Sequence, residues 1–184
     1  DADNIVSNYA STRGIALTAT GAITGNYINV NSGTVSGVSL YARNITENII
    51  LNYAAAIAST FTSDVTSGNT FIAANSSGAL AVIGHTIRGN NLKAGNVRFA
   101  FGSISGASVW NVIGNRVEET DTTDGEAAVI TVPTTCPTNV VGNTIISVNP
   151  FEESPSGDVA IILRTNGDLI CLSRRTISNQ SASP

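Results

Sequence analysis

Seven asparagines occupy the same place in a repeated pattern of apolar and polar residues. Each follows a β-branched residue by three positions and precedes an apolar residue by two. These corner asparagines are Asn8, Asn26, Asn48, Asn69, Asn90, Asn115 and Asn143, at intervals of 18, 22, 21, 21, 25 and 28 residues. A β-rich repeat of about 20 residues indicates stacked β coils, because helical repeats run longer per unit.

Two apolar columns flank the corner. The column three positions before the asparagine holds Ile5, Ile23, Ile45, Thr66, Ile87, Val112 and Val140. The column two positions after it holds Ala10, Ile28, Ile50, Phe71, Leu92, Val117 and Ile145. Inward residues five apart cannot share one face of a continuous strand, because side chains alternate. The chain must therefore bend at the asparagine, and asparagines stacked at about 4.8 Å predict a hydrogen-bonded ladder.

A further apolar segment follows each corner and predicts another short strand per coil. These segments are residues 14–17, 37–40, 56–58, 79–82, 98–101, 128–130 and 159–162. The fold class that follows is all-β, a right-handed parallel β-helix solenoid of about seven coils spanning residues 1–163. Asn166-Gly167 between apolar segments predicts a terminal hairpin at 161–172. Residues 173–184 are predicted to form an irregular tail.

Composition narrows the classes of partner. Only 12% of residues are charged, the net charge is −4, and nine basic residues cannot build a phosphate-tracking stripe, so nucleic acid is not expected. No apolar run approaches the roughly 20 residues that cross a bilayer, so membrane insertion is not expected either. A composition rich in small residues and poor in charged ones is typical of exported or virion proteins. Cys136 and Cys171 either pair or stay separate buried thiols.

The first coil begins close to the N terminus, and the chain starts at Asp1 without a methionine. The open ends of a solenoid expose strand edges that must be covered. We therefore expect either a fragment of a longer protein or an oligomer whose partners cover the ends.

The corner sequences resemble those of known right-handed parallel β-helix proteins of the pectate-lyase-like superfamily. The resemblance is carried by the segments Asn44-Ile45-Thr46-Glu47-Asn48, Asn111-Val112-Ile113-Gly114-Asn115 and Asn139-Val140-Val141-Gly142-Asn143. The Asn-rich, small-residue style is most similar to bacteriophage tailspike proteins. That similarity implies a homotrimer that binds a bacterial surface polysaccharide and often cleaves it.

Pectate lyases share the fold, and the resemblance to them implies outward acidic calcium ligands and a basic residue on one strand column. The outward positions expected on the further strand are Ala16, Ser39, Ala58, Ala81 and Ala100, which supply neither. No metal site and no cofactor are expected.

Two acidic segments interrupt the sixth and seventh coils, at residues 118–126 and 149–158. They leave the solenoid on the same side, so we expect them to be neighbours. Glycosidic cleavage commonly uses two carboxylates about 5 to 10 Å apart. The catalytic candidates are Glu118, Glu119, Glu152 and Glu153. The alternatives are solvated loops without chemistry, or a calcium ion held by oxygen ligands that include Asp121 and Asp124.

Two outer columns are candidate binding surfaces. The flank column lies five positions before each corner asparagine and holds Asp3, Gly21, Arg43, Asp64, His85, Trp110 and Thr138. Its members Arg43, Asp64, His85 and Trp110 are predicted to stack outside and grip a sugar chain, or to form a mixed solvent-facing edge. A further alternative is that Trp110 packs under the neighbouring insertion or a partner subunit. Directly after the corner, Tyr9, Tyr27 and Ile49 predict an exposed apolar strip, which fits a subunit contact or a ligand.

The interpretation favoured by these patterns is a tailspike-like virion protein, or a fragment of one, that recognises and in some such proteins cleaves a bacterial surface polysaccharide. It would act on the virion or outside the cell. Two alternatives stay open: a secreted polysaccharide lyase or hydrolase of the pectate-lyase-like class, and a structural stalk without a ligand.

Overall fold

The computed structural model is an all-β parallel β-solenoid, which confirms the predicted fold class. It describes residues 2–31, 37–53, 58–74, 78–106, 109–120, 128–131, 138–147, 162–165, 168–169 and 176–177. All of its regular elements are strands, numbered β1 to β22 along the chain. The structure describes about five complete turns, fewer than the seven coils predicted, because the last two coils are described only in part.

Each coil contributes strands to three parallel sheets. The pre-corner sheet consists of β1 (Ala2–Val6), the end of β3 (Ile15–Thr24), β6 (Asn44–Thr46), β9 (Val65–Ser67), β12 (Thr86–Arg88), β15 (Trp110–Ile113) and β18 (Thr138–Val141). The post-corner sheet consists of β2 (Tyr9–Thr12), β4 (Tyr27–Val30), β7 (Ile49–Asn52), β10 (Thr70–Ala73), β13 (Asn91–Ala94), β16 (Arg116–Glu119), β19 (Thr144–Ser147) and β22 (Thr176–Ile177).

The third sheet consists of the start of β3, then β5 (Val38–Tyr41), β8 (Ser59–Thr62), β11 (Ala79–Gly84), β14 (Asn96–Phe101), β17 (Ala128–Thr131), β20 (Ile162–Thr165) and β21 (Asp168–Leu169). The long strand β3 belongs to two sheets, because its first residues pair with β5 and its last residues pair with β6. Apart from the β20–β21 hairpin, the strand pairs within these sheets are parallel, as successive turns of one coil require.

The corner asparagines form the predicted ladder. In each coil the backbone N–H and the Nδ2 amide of the asparagine both donate to Oδ1 of the asparagine in the next coil, as in Asn48 to Asn69 at 3.0 and 2.9 Å. The same pattern runs from Asn8 to Asn143. The residue before the asparagine has a positive φ, between 52° and 66°, supplied by glycine in five coils and by Ser7 and Glu47 in the other two. Asparagine is tolerated inside because its polar atoms are paired.

The two predicted apolar columns are in register through all seven coils. Ile23, Ile45 and Ile87 are fully buried, and the rings of Phe61 and Phe71 meet edge to face at 5.8 Å. Thr66 replaces an aliphatic residue in this core, and its hydroxyl hydrogen-bonds the Ser63 hydroxyl at 2.6 Å. That bond satisfies the one hydroxyl which the column buries.

The register of the third sheet corrects two predicted positions. In the third coil the strand is Ser59–Thr62 instead of 56–58, because Phe61 packs in line with Leu40 and Val82 and fills the core that alanine would leave empty. The outward column is therefore Ala16, Ser39, Thr60, Ala81 and Arg98, and the backbone of Val129 is next in register. Ala58 precedes its strand, and Ala100 lies opposite Ile83 in the adjacent column. The expectation that no basic residue stands on this column is wrong, since Arg98 does.

The C-terminal segments extend two of the sheets. Strand β20 pairs antiparallel with β21, Arg164 with Leu169 and Thr165 with Asp168, in the hairpin that the sequence predicts. Within the predicted irregular tail, Thr176–Ile177 forms β22 and pairs parallel with β19. Cys136 and Cys171 lie outside the described residues. In the part of the chain that is described, no helix is long and apolar enough to span a bilayer.

Candidate functional site

Glu118 is the one predicted catalytic carboxylate whose surroundings are described. It lies on β16, faces outward and is partly exposed. Its carboxylate forms an ion pair with Lys93 of the preceding coil, and a second with Arg116 at 3.3 Å. In the next coil the residue opposite is Ile146. Among the described residues, its charged neighbours are therefore two cations, whereas glycosidic cleavage needs a second carboxylate across the bond.

The other acidic candidates stay predictions. The backbone of Glu119 lies on β16 opposite Ser147. Glu152, Glu153, Asp121 and Asp124 lie outside the described residues. Within the described ranges, no group of three or more His, Cys, Asp and Glu side chains is placed to hold a metal ion.

The flank column is aligned along its backbone as predicted. The Asp64 N–H donates to the Arg43 carbonyl at 3.0 Å, and the His85 N–H donates to the Asp64 carbonyl at 3.2 Å. The Asn111 N–H donates to the His85 carbonyl at 2.7 Å, which places Trp110 in the next coil beside His85. Arg43, Asp64, His85 and Trp110 therefore follow one another along the axis.

Their side chains do not share one outer surface, and the predicted exposure of Trp110 and Asp64 is wrong. Trp110 is 0% exposed and Asp64 is 5% exposed, whereas Arg43 is exposed. Strand β15 begins at Trp110, two residues before the inward Val112, so alternation places the indole on the inner face. The indole Nε1 has no hydrogen-bond partner among the described residues. A tryptophan in this position stabilises the core and leaves no ring face open to a sugar.

Asp64 binds a loop of its own chain. Its Oδ1 accepts hydrogen bonds from the backbone N–H groups of Ile104 at 2.6 Å and Ser105 at 2.9 Å, and from the Ser103 hydroxyl at 3.3 Å. Burial pushes the pKa of Asp64 upward, but the hydrogen bonds from Ser105, Ile104 and Ser103 outweigh it and leave this pKa below its ordinary value. The carboxylate is thus held ionised and holds the loop against the solenoid.

His85 lies beside this carboxylate. Its Nδ1 is 3.6 Å from Asp64 Oδ1, beyond ordinary hydrogen-bond length, and its side chain is 19% exposed. The groups of the flank column that a ligand could contact are therefore the Arg43 guanidinium and the exposed part of the His85 imidazole. Binding by Arg43 and His85 stays a prediction.

The apolar strip after the corner is formed as predicted. Tyr9, Tyr27 and Ile49 occupy the same position in three successive coils. The two tyrosine rings stack at 5.4 Å between centroids and 8° between planes, and 71% of Tyr9 is exposed. Stacking fixes both rings without removing them from solvent, so the strip presents ordered aromatic surface.

A shallow depression of about 280 Å³ lies on the outer side of the solenoid where the third sheet begins. It is lined by Gly14, Ile15, Ala16, Gly37, Val38, Ser39, Ala58 and Thr60. The lining carries no ionisable side chain. Gly37 is required there, because a Cβ on it would stand 2.1 Å from the Ala58 carbonyl oxygen. The depression is therefore a consequence of close backbone packing and supplies little chemistry.

Comparison with known proteins gives no relative: no protein-family model, curated protein or solved structure matches the chain. The likeness to tailspikes and pectate lyases thus remains a likeness of sequence pattern and fold. Any function has to be argued from the geometry of the outer faces.

Proposed function

We propose that this chain is the polysaccharide-recognising solenoid of a tailspike-like virion protein, or a part of one, acting on the virion or outside the cell. The observation that carries the proposal is the outer face of the post-corner sheet. Its residues one and three positions after the corner asparagine form straight columns through successive coils. Strands about 4.8 Å apart place one outward side chain per coil at a constant spacing in each column, although the residue type changes along the column. A straight, regularly spaced outer face of this kind suits a linear ligand.

The chemistry of the face supports a hydroxyl-rich ligand. It carries tyrosines, hydroxyls and amides in the first coils, while the charged residues Lys93, Arg116 and Glu118 of the later coils pair with one another. Aromatic rings pack against the C–H faces of sugars, and amides and hydroxyls pair with their hydroxyl groups. The net charge of −4 disfavours a polyanion such as nucleic acid.

Recognition is favoured over cleavage, because the described surroundings of Glu118 supply cations where a second carboxylate is required. The homotrimer stays a prediction from the resemblance. Light scattering at micromolar concentration tests it, and a uniform monomer mass contradicts it.

The proposal is tested with an immobilised panel of purified bacterial capsular and O-antigen polysaccharides, with the heat-unfolded chain as the control. We expect the folded chain to bind at least one polymer of the panel and the unfolded chain to bind none. Absence of binding across the panel would overturn the proposal and favour a structural stalk.

The same panel tests the enzymatic alternative. Each bound polymer is incubated with the chain and its size followed by gel filtration. We expect the size to stay constant. Shortening that is lost in Glu118→Gln, Glu119→Gln, Glu152→Gln or Glu153→Gln would instead support a lyase or hydrolase acting through the acidic loops.

A further inference from the structure

The residues directly before the corner asparagines form an exposed line along the solenoid. All seven have a positive φ, a backbone conformation that glycine adopts freely and that other L residues adopt at a cost. Glycine occupies five of the positions, while Ser7 and Glu47 occupy the other two. We call this line the corner ridge, defined as Ser7, Gly25, Glu47, Gly68, Gly89, Gly114 and Gly142.

Ser7 and Glu47 keep a strained conformation where glycine makes the same bend without strain. The Glu47 N–H donates to the Ser67 carbonyl at 3.0 Å, and the Gly68 N–H donates to the corresponding carbonyl of Arg88 at 3.2 Å. Among the described residues, no hydrogen bond or ion pair reaches the Ser7 hydroxyl or the Glu47 carboxylate. The described contacts therefore give no reason within the fold for these two side chains. Strain that the fold does not need is typical of residues that contact a ligand.

Both side chains extend along the axis over the glycine of the next coil. A Cβ on Gly25 would stand 3.4 Å from Ser7 Oγ, and a Cβ on Gly68 would stand 3.6 Å from Glu47 Cγ. Because these two positions carry no side chain, the hydroxyl and the carboxylate stay uncovered. Ser7 and Glu47 are two coils apart, about 10 Å at the spacing of parallel strands. The ridge thus presents a hydroxyl and a carboxylate in one line along the axis.

The two sides of the ridge differ in chemistry between the second and fourth coils. On the pre-corner side the outward residues carry hydroxyls and are in register, as Thr24, Thr46 and Ser67. The Oγ1 atoms of Thr24 and Thr46 are 2.8 Å apart. On the post-corner side the outward residues are Tyr27, Ile49 and Thr70. A pyranose has a similar division, because its ring faces carry C–H groups and its edge carries hydroxyls.

The division is confined to these coils. In the column of the hydroxyls, the first coil has Val6 and the fifth has Arg88. Further along the ridge, Gly89, Gly114 and Gly142 offer no side chain at all. The carboxylate, the hydroxyls and the apolar side therefore coincide around Glu47, which gives the site a defined position.

The Glu47 carboxylate favours a glycan over an apolar subunit face. An apolar surface laid on the ridge would remove water from an ionised group and supply no partner, which is unfavourable. Sugar hydroxyls donate to a carboxylate, and hydrogen bonds to a charged acceptor are stronger than those between neutral groups. The same hydroxyls both donate and accept, so they also pair with serine and threonine.

We propose that Glu47 and Ser7 bind a polysaccharide whose chain runs along the corner ridge, with sugar hydroxyls donating to the Glu47 carboxylate. This inference rests on the proposed function and assigns it a place and two contact residues. The ridge borders the outer face of the post-corner sheet, since Ile49 follows Glu47 by two residues. A ligand on that face therefore reaches the ridge without crossing another element.

The test measures affinity for whichever polysaccharide of the panel the unsubstituted chain binds. We expect Glu47→Gly to weaken binding by at least about tenfold, the loss of charge-assisted hydrogen bonds. Glu47→Gln keeps the shape without the charge and should weaken it by about fivefold, and Ser7→Gly by about threefold. Asp3→Asn is the matched control, because Asp3 is an exposed carboxylate outside the ridge, and it should retain affinity within about twofold.

Thermal melting of the same variants separates binding from folding. Because glycine relieves the strain, Glu47→Gly and Ser7→Gly should melt at the temperature of the parent or above it while binding more weakly. A merely structural role predicts the reverse, so a lower melting temperature for Glu47→Gly and for Glu47→Gln would overturn the inference.

The remaining outcomes distinguish this inference from the proposed function. Unchanged affinity in both Glu47→Gly and Ser7→Gly would overturn the ridge site and leave polysaccharide recognition standing. A mass by light scattering that falls in Glu47→Gly, with glycan binding intact, would show that the carboxylate pairs with a cation of a second copy instead. If no polymer of the panel binds, both proposals fail.

Discussion

The two described bends that flank the pre-corner sheet differ in almost every respect. At the asparagine corner the same side chain recurs in all seven coils, buried from Asn26 to Asn143, and bonded to the same atoms of the next coil. At the flank column the residue changes in every coil, from the exposed Arg43 to the buried Asp64 and Trp110. The asparagine corner uses the same residue type in every coil, while the flank column uses a different residue type in each coil.

The difference has a physical origin in how each bend satisfies its backbone. A side-chain amide that both donates and accepts can repeat indefinitely along an axis, so one residue type serves every coil. At the flank bend the interactions differ between coils; in one coil, for example, a loop donates backbone hydrogen bonds to Asp64. The fold therefore depends on the corner whose residue is repeated, and inserted loops are accommodated at the corner whose residue varies.

Trp110→Ala should give the largest effect and tests the variable corner. Because the indole is fully buried, truncation leaves a cavity, and we expect the free energy of unfolding to fall by about 3 to 5 kcal/mol in urea titration. Arg43→Ala, in the same column but exposed, should change it by less than about 0.5 kcal/mol. Equal, small effects would mean that the indole faces solvent, as the outer-column interpretation of the sequence predicts.

Asn69→Ala tests the repeated corner from its middle. The substitution removes the acceptor for two donors of Asn48 and the donor to the Ile45 carbonyl, all buried. We expect a loss of about 3 kcal/mol in the free energy of unfolding. Asn8→Ala, at the exposed end, should cost about 1 kcal/mol or less, because its backbone N–H still donates to Asn26. Equal losses at both positions would contradict a ladder whose strength comes from burial.

Asp64→Asn examines the loop contact and depends on pH. The folded-state pKa of Asp64 lies below its ordinary value of 3.8, so the ionised form stabilises the native state. The contribution is complete above the unfolded pKa and is lost as the pH falls through the lowered folded pKa. We expect Asn to cost about 1 to 2 kcal/mol at pH 7, and the difference to shrink below pH 3.8 in chemical denaturation. Asp3→Asn, which is exposed, is the control. A difference independent of pH would show that the carboxylate charge is not involved.

Gly68→Ala and Glu47→Gly give the smallest effects and compare coils within the repeated corner. Both positions have a positive φ, 65° and 57°, which L side chains adopt at a cost. Alanine at 68 should destabilise by about 1 kcal/mol. Glycine at 47 should be neutral or stabilise by up to about 1 kcal/mol, because relief of that conformation opposes the greater chain entropy of glycine. Thermal melting measures both. Destabilisation by Glu47→Gly would indicate that the glutamate side chain contributes more than its backbone costs.

The sequence predicts those features of the fold that repeat. The asparagines, the two apolar columns and the strip of Tyr9, Tyr27 and Ile49 could all be aligned, because the short spacing around the corner does not vary. The third sheet differs from the prediction in two coils, because loops of unequal length separate it from the corner. In the third coil the strand is Ser59–Thr62 instead of 56–58, with Phe61 as an inward residue, and in the fifth coil Arg98 takes the outward position predicted for Ala100. For Trp110, alternation from Val112 was the available signal: two positions before an inward residue is again inward.

The outer face of the post-corner sheet is harder to predict from the sequence for a related reason. It combines residues from successive coils and from positions beyond the strand ends, so no local motif marks it. Tyr53 and Asn31 come together only through the backbone bonds that continue past β7 and β4. The acidic loops, by contrast, are conspicuous in the sequence, yet the Glu118 carboxylate forms an ion pair with Lys93 of the preceding coil.

The amide ladder also restricts how the molecule can change in length. Asn48, Asn69 and Asn90 are each separated by 21 residues. Excision of residues 69–89 would bring Asn90 directly onto Asn48 and leave an unbroken but shorter solenoid, whereas removal of a few residues from a strand would break the register of that coil with both of its neighbours. Growth and shrinkage by whole turns is therefore the natural mode of variation for this architecture.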